Sequence, residues 1–253
     1  MVNKQLSIID WSKIEEIQQA YRDSVRLASL PGDVPTYPHT ARINATSDMM
    51  NFPANIQATR LITFFKLLSE FSSLGEHDKL ILIKYNTFPL TFIRAALNYD
   101  PLTDTYHEPN SDEPVFEGRD LIQCFSLYHY ERSTRCVRNL LSASMGDPLL
   151  LRILLIIMLF SKGSAICTYI DEVEPIADDI LSIYRAQNYF VELLWHYCHG
   201  KFGSRRTHEM FLKFTLSSMD AHLQAFDIRH SCVKVDNVAD QLAPLMKSVM
   251  LIV

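Results

Sequence analysis

An all-α fold is what this sequence of 253 residues predicts, and three observations lead to it. Its 7 glycines and 11 prolines are too few for a loop-rich β protein of this length. Apolar residues recur three and four apart along most of the chain, the spacing of one face of a helix. The breaks between those runs carry Pro, Gly or side chains that cap helices. The length suits one sizeable core, so a single domain is expected.

Taken in order, Ser12 followed by Glu15 reads as a capping box, and Ile14, Ile17, Tyr21, Val25 and Ala28 continue a first helix to about Leu30. Pro31, Gly32, Pro35 and Pro38 stop it and set up an extended loop to about Ala45. Ser47 or Asp48 can cap the next helix, whose regular part starts at Pro53 and ends at Phe71. Leu61, Ile62, Phe64, Phe65 and Leu68 form its wide apolar face. Ser72, Ser73 and Gly75 break it. Another helix begins near His77-Asp78, with the Asp78 carboxylate accepting from first-turn N–H groups, and runs to about Asn98, kinked or split at Pro89. One or two helices span Asp120 to Leu141. Asp147-Pro148 is a cap followed by a good first helical residue, opening an apolar helix to Phe160 that Gly163 ends. A long helix is expected from about Val173 to Cys198, with Ile176, Ile180, Ile183, Phe190 and Leu194 on its buried side. After a break at Gly200 to Ser204, another runs from Thr207 to about Arg229, and a short amphipathic segment lies within Ala239 to Met250.

The stretch from Phe64 to Ile83 carries more than periodicity. Phe64, Lys66, Phe71, Leu74, Asp78, Lys79, Leu82 and Ile83 stand in an order and spacing that resemble the signature of the nuclear receptor ligand-binding domain. Phe65 departs from it, standing where that family usually has Ala, Ser or Ile. The following Phe92 to Pro101 resembles the continuation found in the thyroid hormone, retinoic acid and vitamin D receptor group. The resemblance implies a three-layer antiparallel helical sandwich with one short β-hairpin. Asp104-Thr105-Tyr106-His107 would be the hairpin's strand material, and the acidic loop from Glu108 to Glu117 an exposed excursion. Residues 1–253 read as one ligand-binding domain. The zinc-bearing DNA-binding module of such receptors has no counterpart in this sequence, so DNA would be reached only through a segment outside it.

By the same resemblance the function is that of a nuclear, possibly shuttling, ligand-regulated transcription factor module, not an enzyme, with no cofactor. Arg94, His222 and Gln57 match positions that contact a small lipophilic ligand in an internal pocket. Two or three polar groups in an apolar cavity suit a molecule with a hydroxyl, ketone or carboxylate at its ends. Read as residues alone, Arg94 could equally pair with an internal carboxylate, His222 be a satisfied core histidine, and Phe88, Phe92 and Met50 fill the cavity. Ligand-independent action as an interaction and dimerisation domain is then the alternative, ahead of a helical lipid carrier or enzyme. Ile62, Lys66, Leu80, Ile83 and Lys84 fall on the groove that takes Leu-x-x-Leu-Leu helices of coregulators, the lysine capping the free carbonyls of the incoming helix. Leu245, Met246, Ser248, Val249 and Met250 match the activation helix, with Ser248 where the family's glutamate belongs. That departure implies weak or altered coactivator binding, with a bias toward repression. The helix from Thr207 is where the family dimerises, with a retinoid X receptor-type partner or a second copy; Phe211, Phe214 and Met219 are its candidate face, a spacing that fits a core stripe equally well.

Other classes find little support. A net charge of -5 leaves no basic footprint for nucleic acid or an anionic membrane. No secretory signal is expected at the N-terminus, and the apolar run Leu149 to Phe160 is too short to cross a bilayer and reads as a buried central helix. Within it, Leu151-Arg152-Ile153-Leu154-Leu155 is itself a Leu-x-x-Leu-Leu sequence but belongs to the core. The five scattered cysteines suggest neither a disulfide framework nor a zinc module, and fit a reducing compartment. His196, Cys198 and His199 lie on different sides of a helix and lack a fourth ligand, so no metal site is expected. No Gly-rich phosphate loop, Gly-x-Ser-x-Gly elbow or His-Glu-x-x-His occurs.

Overall fold

The computed structural model describes residues 6–28, 35–161, 174–234 and 238–252. These are mostly helical, with one small sheet. Helix α1 (Ile8–Leu27) is followed by α2 (Thr46–Met49), a π-type turn at Met50–Ala54 that contains Pro53, and α3 (Asn55–Lys66). Then come α4 (Ser69–Ser72), α5 (Glu76–Ala95), α6 (Asp120–Cys124), α7 (Leu127–Ser144), α8 (Pro148–Leu159), α9 (Ile180–Phe202), α10 (Ser204–Asp227) and α11 (Pro244–Val249).

The centre is α8. Nine of its twelve residues are buried, which a helix apolar on all sides requires, and it packs against α5 and α9 with α1 and α7 also touching it. Its start is the expected one: the Asp147 carboxylate accepts from Leu149 N–H at 3.0 Å and Pro148 opens the first turn. Around this centre α3 packs on α1 and α5, while α10 packs on α7, α5 and α9. Arg132 of α7 ties down α10 by pairing with Asp220 (2.8 Å) and Asp227.

Several boundaries differ from the expected ones. The first capping box is Ser7 with Asp10, not Ser12 with Glu15. Ile8 and Ile9 in that first turn are exposed, so apolar periodicity starts only one turn into the helix. The predicted end at Leu30, with Pro31 and Gly32, lies outside the described residues, as do Gly163 and Val173. The helix before Phe71 ends at Lys66, with Phe71 in the separate turn of α4. Pro89 sits inside α5 without dividing it. Two helices, α6 and α7, occupy the segment after Asp120, and the break after α9 is confined to Gly203, whose φ of 80° is easy only for glycine.

Asp78 does not serve its own helix. Its buried carboxylate accepts from the backbone N–H groups of Asp178 (2.7 Å) and Asp179 (2.9 Å), a hundred residues away, and Asp179 in turn caps α9 through Ser182 N–H at 2.9 Å. That double cap makes α9 start at Ile180 and leaves Ile176 and Ile180 exposed at 79% and 52%, where the sequence pattern places them inside.

The sheet is larger than the expected hairpin. Its strand order is β1 (Thr40–Ala41), β4 (Val115–Glu117), β3 (Thr105–Tyr106), β2 (Tyr99–Asp100). The hairpin of β2 and β3 pairs Tyr99 with Tyr106, β4 adds antiparallel with Phe116 opposite Tyr106, and β1 adds parallel with Ala41 beside Phe116. The acidic loop is therefore no free excursion. It returns to the body of the protein, burying Phe116 with Ala41, Ile43 and Cys124, and burying Glu108 and Glu113 as well.

Candidate functional site

The two helices that carry the signature, α3 and α5, each bury one arginine completely: Arg60 and Arg94 are 1% and 0% exposed. A buried guanidinium must find carboxylates, and the returning acidic loop supplies them. Arg94 pairs with Glu108 and donates to Gln57 Oε1; Arg60 pairs with Glu113 and stands 3.7 Å from Glu108. Tyr21 closes the set from α1, its hydroxyl 3.4 Å from both Glu108 oxygens and its ring 5.5 Å from the Arg94 guanidinium. Burial alone would lower the Arg94 pKa, and Glu108, Tyr21 and Glu113 more than offset it. Burial raises the Glu113 carboxyl against the pull of Arg60 and Arg94. Two cations thus face two carboxylates in a closed charge lock.

Of the three expected ligand contacts, the structure brings Gln57 and Arg94 together, with a protein carboxylate already on the guanidinium. His222 is elsewhere. It lies on α10 beneath the last helix, lining a small cavity of about 40 Å³ with Tyr85, Phe88, Met250 and Leu251. Its Nδ1 is 3.0 Å from Ser218 O, and its Nε2 is buried with no hydrogen-bond partner among the described residues. Burial lowers its pKa, so the ring is neutral at neutral pH. Met50, Ala58, Phe88, Ala225, Met246 and Val249 form one buried cluster beneath α11, and Phe92 leans on it edge-to-face with Phe88 at 5.7 Å. Glu108, Glu113 and Arg60 were not expected here. Arg60, which the spacing places at the margin of the apolar face of its helix, is instead fully inside.

The residues expected at a coregulator groove lie on the same two helices and on α11. α11 packs on α5 and α3 with Met246, Val249 and Met250 inward, and Ile81, Tyr85 and Leu251 form a further small cluster beside it. Asn51 fixes the approach, donating to Gln241 O (2.8 Å) and accepting from Ala243 N–H (2.7 Å). Leu245 is half-buried and Ser248 exposed. On α3 and α5, Ile62 and Ile83 are half-buried, Leu80 is 67% exposed and Lys66 is exposed. Lys84 is half-buried with its ammonium 5.7 Å from the Tyr85 ring centre. At the Lys66 end, Lys79 bonds Glu76 at 2.9 Å and, with Lys66 adding to the positive field, holds that carboxyl below its ordinary range. α11 itself carries no carboxylate.

On α10 the expected outward face is corrected. Phe214 is buried and Phe211 is packed edge-to-face on Trp195 at 5.1 Å, leaving only Met219 outside. The exposed apolar line is Leu212, Leu216, Met219 and Leu223, spaced four, three and four. It lies beside the predicted face because the pair three apart, Phe211 and Phe214, belongs to the core side.

His77, Asp78 and Asp178 converge, but both Asp78 oxygens already accept backbone N–H groups, so capping accounts for the cluster. Cys124, Cys136 and Cys198 are free and buried, and burial pushes their thiols up to about 12, which makes them poor nucleophiles. No single described helix is long and apolar enough to cross a membrane. No family model matches the chain, and no curated protein matches it significantly.

Proposed function

We propose that the chain is a transcription-regulating module of the nuclear receptor ligand-binding domain type, acting in the nucleus by holding the short amphipathic helix of a coregulator in the groove between α3, α5 and α11. The observation that carries this reading is the last helix packed on both α3 and α5, the two helices on whose outer sides the half-buried Ile62 and Ile83 and the exposed Leu80 and Lys66 lie. The grouping of α1 with α3, of α5 with α8 and α9, and of α7 with α10 supports a three-layer sandwich. The incoming leucines bury on the apolar strip, and Lys66 meets the carbonyls at the helix's C-terminus, where the dipole is negative.

The interior favours recruitment without a ligand between Arg94 and His222. A lipophilic molecule there would have to take Arg94 from Glu108, leaving a buried carboxylate short of a partner, and repack Phe88 and Met50. The apolar line on α10 has the three-and-four spacing that suits a second helix, from another copy or a retinoid X receptor-type partner. DNA would be contacted through a segment outside this chain.

The test is fluorescence anisotropy with a labelled Leu-x-x-Leu-Leu peptide. Binding should be abolished by Leu80→Glu and weakened by Lys66→Ala, both with unchanged thermal unfolding. No binding by either the unaltered chain or the Ser248→Glu variant would falsify the groove assignment.

A further inference from the structure

A second concavity lies on the other side of the charge lock, between α1, α8, the segment just beyond α5 and the loop at residues 108–112. Its volume is about 1040 Å³, at the upper end of what small-molecule sites offer. Arg152 forms part of its wall. It is the one charged residue of α8, part-buried, with its guanidinium 4.4 Å from the centre of the Tyr21 ring. Burial lowers its pKa. Among the described residues no carboxylate lies within ion-pair distance of it, and its Nε is buried without a hydrogen-bond partner.

That arrangement leaves a cation over. The carboxylates of Glu108 and Glu113 are taken by Arg60 and Arg94, and the other carboxylate lining the cleft, Asp112, sits on its exposed rim. Arg22 adds to the positive field at Arg152, and among the described residues its guanidinium is held by the neutral Gln19 alone, at 2.7 Å. Arg60, whose side chain is 2% exposed, lines the same cleft, and its Nε also lacks a partner. The rest of the wall includes the half-buried Val25, Leu97 and Leu141 and the buried Leu151. A part-buried guanidinium stacked on tyrosine, with open donors and apolar walls, is organised to receive a planar or tetrahedral oxyanion attached to a hydrocarbon.

We propose that this cleft binds a small amphiphile bearing a carboxylate or phosphate head, the head on Arg152 with Arg22 at the mouth and the hydrocarbon along Val25, Leu97 and Leu141. The site is separate from the helix groove, and its occupancy does not depend on the coregulator reading.

Titration calorimetry on the purified chain tests it, using decanoate, decyl phosphate, decanol and inorganic phosphate below their micellar concentrations. Saturable 1:1 binding of decanoate or decyl phosphate is expected, with whichever binds tighter identifying the head group, and at least tenfold weaker binding of decanol and of inorganic phosphate. Arg152→Met, which keeps the stem and the packing, should weaken the anionic amphiphile at least tenfold. Val25→Trp, which fills the apolar end while leaving Arg152 in place, should do the same and stands in if Arg152→Met does not fold. Decanol binding as tightly as decanoate would overturn the role of Arg152, phosphate binding as tightly as decyl phosphate would overturn the apolar arm, and no binding by the unaltered chain would overturn the site.

Discussion

Two neighbouring turns in the C-terminal half of α5 are held by opposite means. Toward its C-terminal end, Arg94 is fixed by a closed set of charges, with Glu108, Gln57, Tyr21 and the neighbouring Arg60–Glu113 pair each in a defined place. One helical turn and a half earlier, Phe88 sits in an apolar bed of Met50, Ala58, Met246 and Val249 beneath the last helix. The charged end specifies one arrangement and tolerates no missing member, because desolvated ions are unfavourable unless each has its partner. The apolar end is graded: it gains roughly in proportion to the surface it covers, and it can yield a little without collapse.

The largest effect should come from breaking the charged end. Glu108→Gln leaves Arg94 buried and uncompensated and should cost about 3–5 kcal/mol in urea unfolding. Arg94→Met together with Glu108→Leu should recover most of that loss, since Arg60 keeps Glu113; a double variant as unstable as the single one would show that the lock is not the unit described. Truncating the apolar end is expected to cost less. Met246→Ala should destabilise by about 2–3 kcal/mol, the low end for a buried methionine because a short surface helix can settle into the space, and it should weaken peptide binding in the anisotropy assay.

Acid should separate the two ends further. The pKa of His222 in the folded chain lies below its ordinary 6.5, chiefly because it is buried, so below pH 6.5 the unfolded chain holds more protons than the folded one. Stability contributed by this group is present above that pH and is lost as pH falls, by at most about 1.4 kcal/mol per pH unit. His129 is shifted the same way by burial, so the measurement is the part of the slope that His222→Gln removes. The smallest effect belongs to the groove: Ser248→Glu should tighten a Leu-x-x-Leu-Leu peptide by about 0.3–1 kcal/mol, or about two- to fivefold, read by anisotropy.

What the sequence reveals of this molecule is what is local. The cap at Asp147-Pro148, the all-round apolar α8 and the helix-turn-helix of residues 64 to 83 all announce themselves within a few residues. Asp78 reads as the cap of its own helix because nothing nearby hints at Asp178 and Asp179, whose N–H groups it serves a hundred positions later. Glu108 and Glu113 look like loop residues for the same reason: their partners are buried arginines on helices already passed, and only the sheet pairing of Phe116 with Tyr106 brings them back. Exposed apolar residues mislead in the other direction. Ile8, Ile9, Ile176 and Ile180 and the line Leu212, Leu216, Met219 and Leu223 carry core-like side chains on the outside, and periodicity alone cannot tell which neighbouring stripe faces inward. Of the candidate site, an internal carboxylate on Arg94 is one of the readings its residues allow, while its identity as Glu108 is not legible locally.

The order in which the chain leaves the ribosome gives these two ends different histories. All members of the charged lock lie between Tyr21 and Glu113, the bonded pairs separated by at most 87 residues. Asn51, by contrast, must wait about 190 residues for Gln241 and Ala243 before it can fix the approach to α11. During synthesis the frame around α3 and α5 can close first, with Phe88 and Met50 uncovered until the final segment arrives. The surface that α11 eventually seals is therefore, for a time, apolar and open to water on the nascent chain.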